Sequence, residues 1–256
     1  YPAKYRCSFF QQPFEYQIEI EGENWDQGGV IEGKLRVRNM SAAGVTVKTV
    51  QLVLAHGLKK AIKEKGDAHW DIQEKLIIVQ DLLLQPGGEE SRDWNFNLST
   101  DCPITDKQGS LFLLFGGDDV LSEGGRLDLP IQLHPILQNF LQTFKTQFRF
   151  LEKYQKRKAD WTEVKLIPPD SREFPNMDYV LCFLRIHQEL LEARYRFKMS
   201  GLGRSGQQMT ITKKNREIEQ IIPQESYLQP GGFPNRACFR ENIDRALNIA
   251  RPEVIF

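Results

Sequence analysis

Apolar and polar side chains alternate in Phe14-Glu15-Tyr16-Gln17-Ile18-Glu19-Ile20, the period-2 signature of a strand with one buried face. The same alternation runs through Val30–Val37, with Ile31, Gly33, Leu35 and Val37 on one side, and through Val45–Leu54. Leu76–Val79, Trp94–Leu98 and Leu111–Phe115 add further strand candidates. Gln85-Pro86-Gly87-Gly88 reads as a turn, because Pro presets one corner and Gly supplies a positive φ. At Ile136 the period changes. Ile136, Leu137, Phe140, Leu141, Phe144, Phe148 and Leu151 share one face of a helix, with Lys145, Arg149, Lys153 and Arg157 on the other. Strand patterns return at Thr162–Ile167, Tyr179–Ile186 and Leu190–Met199, and more weakly at Gln208–Thr212 and Glu217–Ile222. A last helix is expected from an Asn235 N-cap through Phe239, Ile243, Leu247 and Ala250, ending before Pro252.

Short strands at this spacing predict sandwiches and not a βαβ fold. The expected organisation is an N-terminal β-sandwich over 1–134, a helix plus second β-sandwich over 135–230, and a C-terminal helix and tail over 231–256. The pentapeptide Leu-Gln-Pro-Gly-Gly occurs at Leu84–Gly88 and again at Leu228–Gly232. A duplicated β module explains it, and turn-biased composition explains it nearly as well.

Composition narrows the class. The chain has 256 residues, 40% of them hydrophobic, with 34 basic and 34 acidic side chains; that is a globular balance, far from the low hydrophobicity and high net charge of disorder. No apolar run approaches the ~20 residues of a membrane helix, and the neutral total argues against a nucleic-acid binder. The neutrality hides an asymmetry: residues 1–135 hold 14 basic and 20 acidic side chains, and residues 136–256 hold 20 and 14. Opposite fields of this kind suit an anionic partner for the second half or attraction between the halves. The four cysteines (7, 102, 182 and 238) are dispersed and form no CxxC, which points to reduced thiols and a cytoplasmic location. The chain opens on Tyr1 and not on Met, which leaves an upstream segment or a removed targeting peptide open.

Motifs for catalysis are weak. Gly201-Leu202-Gly203-Arg204-Ser205-Gly206 spells GxGxxG, but the dinucleotide fingerprint must leave a strand and open a helix, and Met209–Thr212 has strand character. It is expected to be a hairpin turn. Gly28–Leu35 misses the phosphate-binding loop because Leu35 stands where a hydroxyl is required. Histidines 56, 69, 134 and 187 are scattered, Asp67, Asp71, Asp118 and Asp119 lack the ligand series of a calcium loop, and no nucleophile elbow is present. No catalytic residue, cofactor or metal is assigned. The cationic cluster Lys153, Lys156, Arg157 and Lys158 is the candidate partner contact.

The order of elements carries a resemblance. Val30-Ile31-Glu32-Gly33-Lys34-Leu35-Arg36-Val37 followed by Thr49–Leu54, then Leu84-Gln85-Pro86-Gly87-Gly88 with Trp94-Asn95-Phe96-Asn97-Leu98, resembles the start of an arrestin-like domain. Leu129-Pro130-Ile131-Gln132-Leu133, an amphipathic helix and a strand-rich half are similar to the bacterial sporulation-control branch of that superfamily. The charged stretch Lys59–Trp70 and the end Gly231–Phe256 depart from it. The resemblance implies a mainly β protein of two tandem arrestin-like β-sandwiches, an amphipathic helix between them and a C-terminal helix. It also implies a non-enzymatic cytoplasmic adaptor or regulator that works through protein–protein interaction.

Partner identity, peripheral contact with anionic membrane and a homodimer stay open, as does a latch formed by Val254-Ile255-Phe256. Rival readings are a carbohydrate- or other ligand-binding β-sandwich, a hydrolase of dispersed acids, and a self-assembling structural protein. In the first of these Trp25, Trp70, Trp94 or Trp161 stacks on sugar rings, Trp25 and Trp70 being the better placed.

Overall fold

The computed structural model describes residues 4–63, 69–205 and 208–251. The chain is mainly β and divides into two compact units, Tyr1–Gln132 and Leu133–Phe256.

The first unit runs β1 (Lys4–Gln11), β2 (Phe14–Glu21), β3 (Trp25–Asp26), β4 (Val30–Asn39), β5 (Val45–Leu58), α1 (Lys59–Lys63), β6 (Asp71–Leu84), β7 (Glu89–Asn97), β8 (Gly109–Gly116), α2 (Val120–Glu123), β9 (Gly125–Leu129) and β10 (Ile131–Gln132). One four-stranded antiparallel sheet has the order β1-β2-β4-β7, and a second has the order β6-β5-β8-β9. A short parallel pair joins β3 to β10. The alternation in the sequence becomes a sandwich: Ile18, Ile20, Ile31, Leu35 and Val37 from the first sheet meet Val50, Leu52, Leu54, Leu111, Leu113 and Phe115 from the second in one buried cluster. Gly33 is required within β4. A Cβ there would stand 2.0 Å from the Glu19 carbonyl oxygen and 2.8 Å from Cζ2 of the Trp94 indole, which lies across the strand.

A second, smaller apolar cluster sits on the opposite face of the second sheet. Val53, Ala55, Phe112 and Leu114 are covered by Val120, Ile62 and Trp70. The charged stretch after Leu58 therefore serves partly as cover: α1 carries Ile62, and Trp70 packs edge-on against Phe112 with ring centroids 5.5 Å apart. Residues 64–68 lie outside the described chain.

The second unit runs α3 (Pro135–Gln147), β11 (Leu151–Lys158), β12 (Trp161–Ile167), β13 (Met177–His187), β14 (Leu190–Ser205), β15 (Gln208–Ile222), α4 (Gln224–Tyr227) and α5 (Arg236–Ala250). Its strands form one antiparallel meander in chain order, β11-β12-β13-β14-β15. One sheet face is apolar, with Val164, Leu166, Val180, Cys182, Leu184, Tyr195 and Phe197 buried. The layer that a second sandwich would fill with strands is filled here by α3 and α5. Phe140 meets Phe239 at 5.5 Å, and Phe144 meets Tyr195 at 6.3 Å. The Asn235 cap is present, its side-chain oxygen accepting from the Cys238 backbone N–H at 3.3 Å.

Two local expectations are corrected and a third is narrowed. The helical pattern runs on toward Arg157, but α3 ends at Gln147: Arg149 adopts a left-handed φ of 58°, and the Phe150 N–H turns back to the Phe144 carbonyl at 3.1 Å. Phe150, out of phase with the helical stripe, is buried against Phe144 and Phe174, and that packing outweighs continued periodicity. Lys153 and Arg157 consequently lie on a strand. Second, Gly201–Ser205 is not a turn over its length. It continues β14, paired with Gln208–Thr212 of β15, while 206–207 lie outside the described residues. Third, both Leu-Gln-Pro-Gly-Gly copies are turns of one kind: the Gly88 N–H donates to Gln85 O at 2.8 Å and the Gly232 N–H to Gln229 O at 3.0 Å. Their settings differ, the first joining β6 to β7 and the second closing the Leu228–Pro234 bridge before α5. Shared turn chemistry explains the repeat.

Candidate interaction surface

The solvent-side face of the five-stranded sheet follows from its register. Tyr154, Lys156 and Lys158 of β11 sit opposite Lys165, Glu163 and Trp161 of β12. Glu163 and Lys165 continue to Phe183 and Leu181 of β13. Phe183, Leu181 and Tyr179 continue to Arg194, Arg196 and Lys198 of β14, with Glu219, Glu217 and Asn215 beyond them on β15. Alternation thus gathers basic and aromatic residues from β11 to β14 on one face, with glutamates of β15 beside them.

They interlock. The Arg185 and Arg194 guanidiniums lie 4.2 and 4.3 Å from the Trp161 ring centroid. Lys165 sits 4.0 Å from the Tyr179 ring, Lys156 5.2 Å from the Tyr154 ring and Arg196 5.7 Å from the Phe183 ring. The arginines also meet carboxylates: Arg185 to Glu192 at 2.8 Å, Arg194 to Glu219 at 2.9 Å and Arg196 to Glu217 at 2.6 Å. Each exposed pair contributes little to stability alone, but together they hold the side chains extended and in place. Trp161, Phe183, Arg194 and Arg196 line a shallow concavity of about 420 Å³ with Lys158 at its rim.

Beside it, Glu163 is nearly buried. It pairs with Lys156 at 3.0 Å and accepts from the Tyr154 hydroxyl at 2.9 Å. Desolvation, and then the carboxylate partner, push the Tyr154 phenol up to about 12.

The four cationic residues singled out from sequence do not form one patch. Lys156 and Lys158 join this face. Lys153 is the extra residue of a β-bulge, where the register shifts between Glu152 and Tyr154. Arg157 lies on the opposite strand face, paired with Thr162, and donates from Nε to the Ala159 carbonyl at 3.2 Å. Sequence reading missed Trp161, Arg185, Arg194 and Arg196 as a group; the available signal was the polar row alternating with apolar residues in Tyr179–Met199.

The tryptophans separate as well. Trp94 is buried. The Trp70 indole N–H donates to the Leu121 carbonyl at 3.1 Å, with Arg126 5.5 Å from its ring. The π surface of Trp161 is engaged by two arginines. Trp25 opens on a groove of the first unit.

Chemistry is sparse among the described residues, which include no group of three or more His, Cys, Asp or Glu able to hold a metal ion. Burial pushes all four thiols up, Cys102 to about 12, so they stay protonated at neutral pH and are poor nucleophiles. Among the described residues no helix is long and apolar enough to cross a membrane.

No family model and no curated protein sequence matches the chain. Among solved structures, the crystal structure of Spo0M, a sporulation control protein from Bacillus subtilis, superposes with a TM-score of 0.62 over 97% of this chain and 99% of that one, at 14% identity. This is the Spo0M fold. At that identity the likeness concerns architecture, and it extends through both units. Partial superpositions on a β-glucosidase from Listeria innocua (10% identity, TM-score 0.30) and the C-terminal domain of wzt (12%, TM-score 0.27) each cover 52% of this chain. They span 16% and 80% of those chains respectively.

Proposed function

We propose that this chain is a non-enzymatic, cytoplasmic regulatory protein of the sporulation-control kind, acting as an adaptor that binds a partner protein through the cationic–aromatic face of its second unit. The observation that carries the reading is the Arg185–Trp161–Arg194 stack with its flanking lysines. Fixed aromatic and guanidinium groups on an exposed sheet are the residue types that anchor protein interfaces, and each arginine is already held by a glutamate. The count on this face favours an acidic partner: Lys156, Lys158, Lys165, Arg185, Arg194, Arg196 and Lys198 against Glu163, Glu192, Glu217 and Glu219. Edge strand β11 borders the same face. Its bulge and lysines are the devices that blunt strand addition, so the sheet face is the better docking area.

The test is quantitative affinity capture with the intact protein and with Lys158, Arg194 and Arg196 of this face reversed to Glu, followed by titration of the identified partner. The expected result is one specific partner whose affinity falls on charge reversal and at raised ionic strength. Capture that is identical for both forms would sink the assignment of this surface.

A further inference from the structure

The first unit contains a groove that the surface above does not use. Tyr5, Cys7 and Phe9 share one row of β1; Cys7 and Phe9 pack against the core. Tyr5 pairs in register with Ile20, which is buried, yet Tyr5 itself is 54% exposed. An aromatic ring in an interior-facing row that stays this exposed marks a place where the sandwich is left unfilled. The space is a groove of about 450 Å³ lined by Tyr5, Trp25, Leu127 and Pro130, with Glu23 and Asp128 beside them.

The groove is preorganised. The Trp25 backbone N–H donates to the Pro130 carbonyl at 3.0 Å, and β3 pairs with β10. The indole lies against Gly22, where a Cβ would stand 3.2 Å from Cε2, Cζ2 and Nε1; Gly22 also holds a φ of 109° that favours glycine. Both charged residues of the lining are exposed carboxylates. Two nearby cations are engaged elsewhere, Arg6 with Glu19 at 3.0 Å and Arg126 over Trp70.

Aromatic faces attract cations through the ring quadrupole, most strongly for Trp, and carboxylates strengthen the hydrogen bonds of a guanidinium or ammonium. A neutral ligand would use the rings and leave the acidic rim uncompensated, and an anion would be repelled. We propose that this groove binds an arginine or lysine side chain of an extended partner peptide. The cation lies against Trp25 and Tyr5 with the Glu23 carboxylate beside it, and a neighbouring apolar residue lies on Leu127 and Pro130. The site is independent of the cationic face of the second unit.

The probe is acetyl-Leu-Arg-Leu-amide, titrated into the full chain while the indole N–H resonance of Trp25 is followed by NMR, assigned by its loss in Trp25→Phe. The isosteric citrulline peptide removes the charge alone. Glu23→Gln removes one rim carboxylate on an exposed loop and leaves the Ser110 hydroxyl to Asp128 hydrogen bond intact. The expected result is a saturable shift with the arginine peptide, weakened about tenfold by citrulline and several-fold by Glu23→Gln. No shift at millimolar arginine peptide overturns the proposal. So does an equal response to the two peptides, or a saturable shift with laminarihexaose and none with either peptide.

Discussion

Ala159 turns the β11–β12 hairpin with a φ of 53°, a conformation that costs an L-residue with a Cβ roughly 1–2 kcal/mol and that Asn and Gly tolerate far better. Ala159→Asn is therefore expected to raise stability by up to about 1 kcal/mol in urea unfolding; an unchanged midpoint would show that the turn is unstrained. Gly33 is the opposite case. Its missing Cβ admits Trp94 and the Glu19 carbonyl, and backbone cannot yield as a flexible side chain can. Gly33→Ala is expected to cost about 3 kcal/mol or more, read as loss of the cooperative thermal transition or a large drop in its midpoint. At this scale the sequence was partly legible. The glycine in the alternating run at Val30–Val37 was visible as a feature of the strand, but nothing along the chain says that an indole sixty residues away fills its place.

Among the elements, the two long helices show how far periodicity reaches. α5 begins where its cap predicts, with Asn235 also donating to the Ser226 carbonyl at 2.9 Å. Asn235→Ala is expected to cost about 1–2 kcal/mol through loss of the cap and of this tie, measurable as a lower melting temperature with the fold retained. α3 begins as read and ends early, because Phe150 gains more by burial against Phe144 and Phe174 than as one more helical residue. β1 escaped the sequence reading although Tyr5, Cys7 and Phe9 alternate, since eight mixed residues carry little signal without a neighbouring strand. Edge strands in general are specified by whatever they pair with.

On the scale of the molecule, burial of neutral acids sets the response to alkali. Cys102 is raised from 9.0 to about 12, and Tyr16 and Tyr154 from 10.0 to about 12, burial being the first cause in each. In the unfolded chain these groups lose their protons near pH 9–10, whereas in the folded chain they hold them to about pH 12. The folded state therefore binds more protons in that window, and stability falls as pH rises through it. The expected outcome is a melting temperature that declines progressively above about pH 9. Cys102→Ala is expected to lower stability at neutral pH and to flatten part of the alkaline decline. A melting temperature constant to pH 12 would contradict the burial of these groups.

The β-rich class, most strands of the first half after β1, the starts of both long helices, the Asn235 cap and the Pro-Gly turns were written in local patterns. Alternation, helical spacing, Pro-Gly corners and an Asn cap all act within a few residues, so one chain read alone contains them. The helical layer of the second unit, the Arg185–Trp161–Arg194 stack and the Tyr5–Trp25 groove were decided by tertiary structure. Strand register brings Trp161, Phe183, Arg194 and Glu219 side by side from four separate segments, and the β3–β10 pairing carries Trp25 to Pro130. Such neighbours are set by the register of strand pairing and by packing, and neither residue type nor spacing along the chain encodes which side chains that register sets side by side.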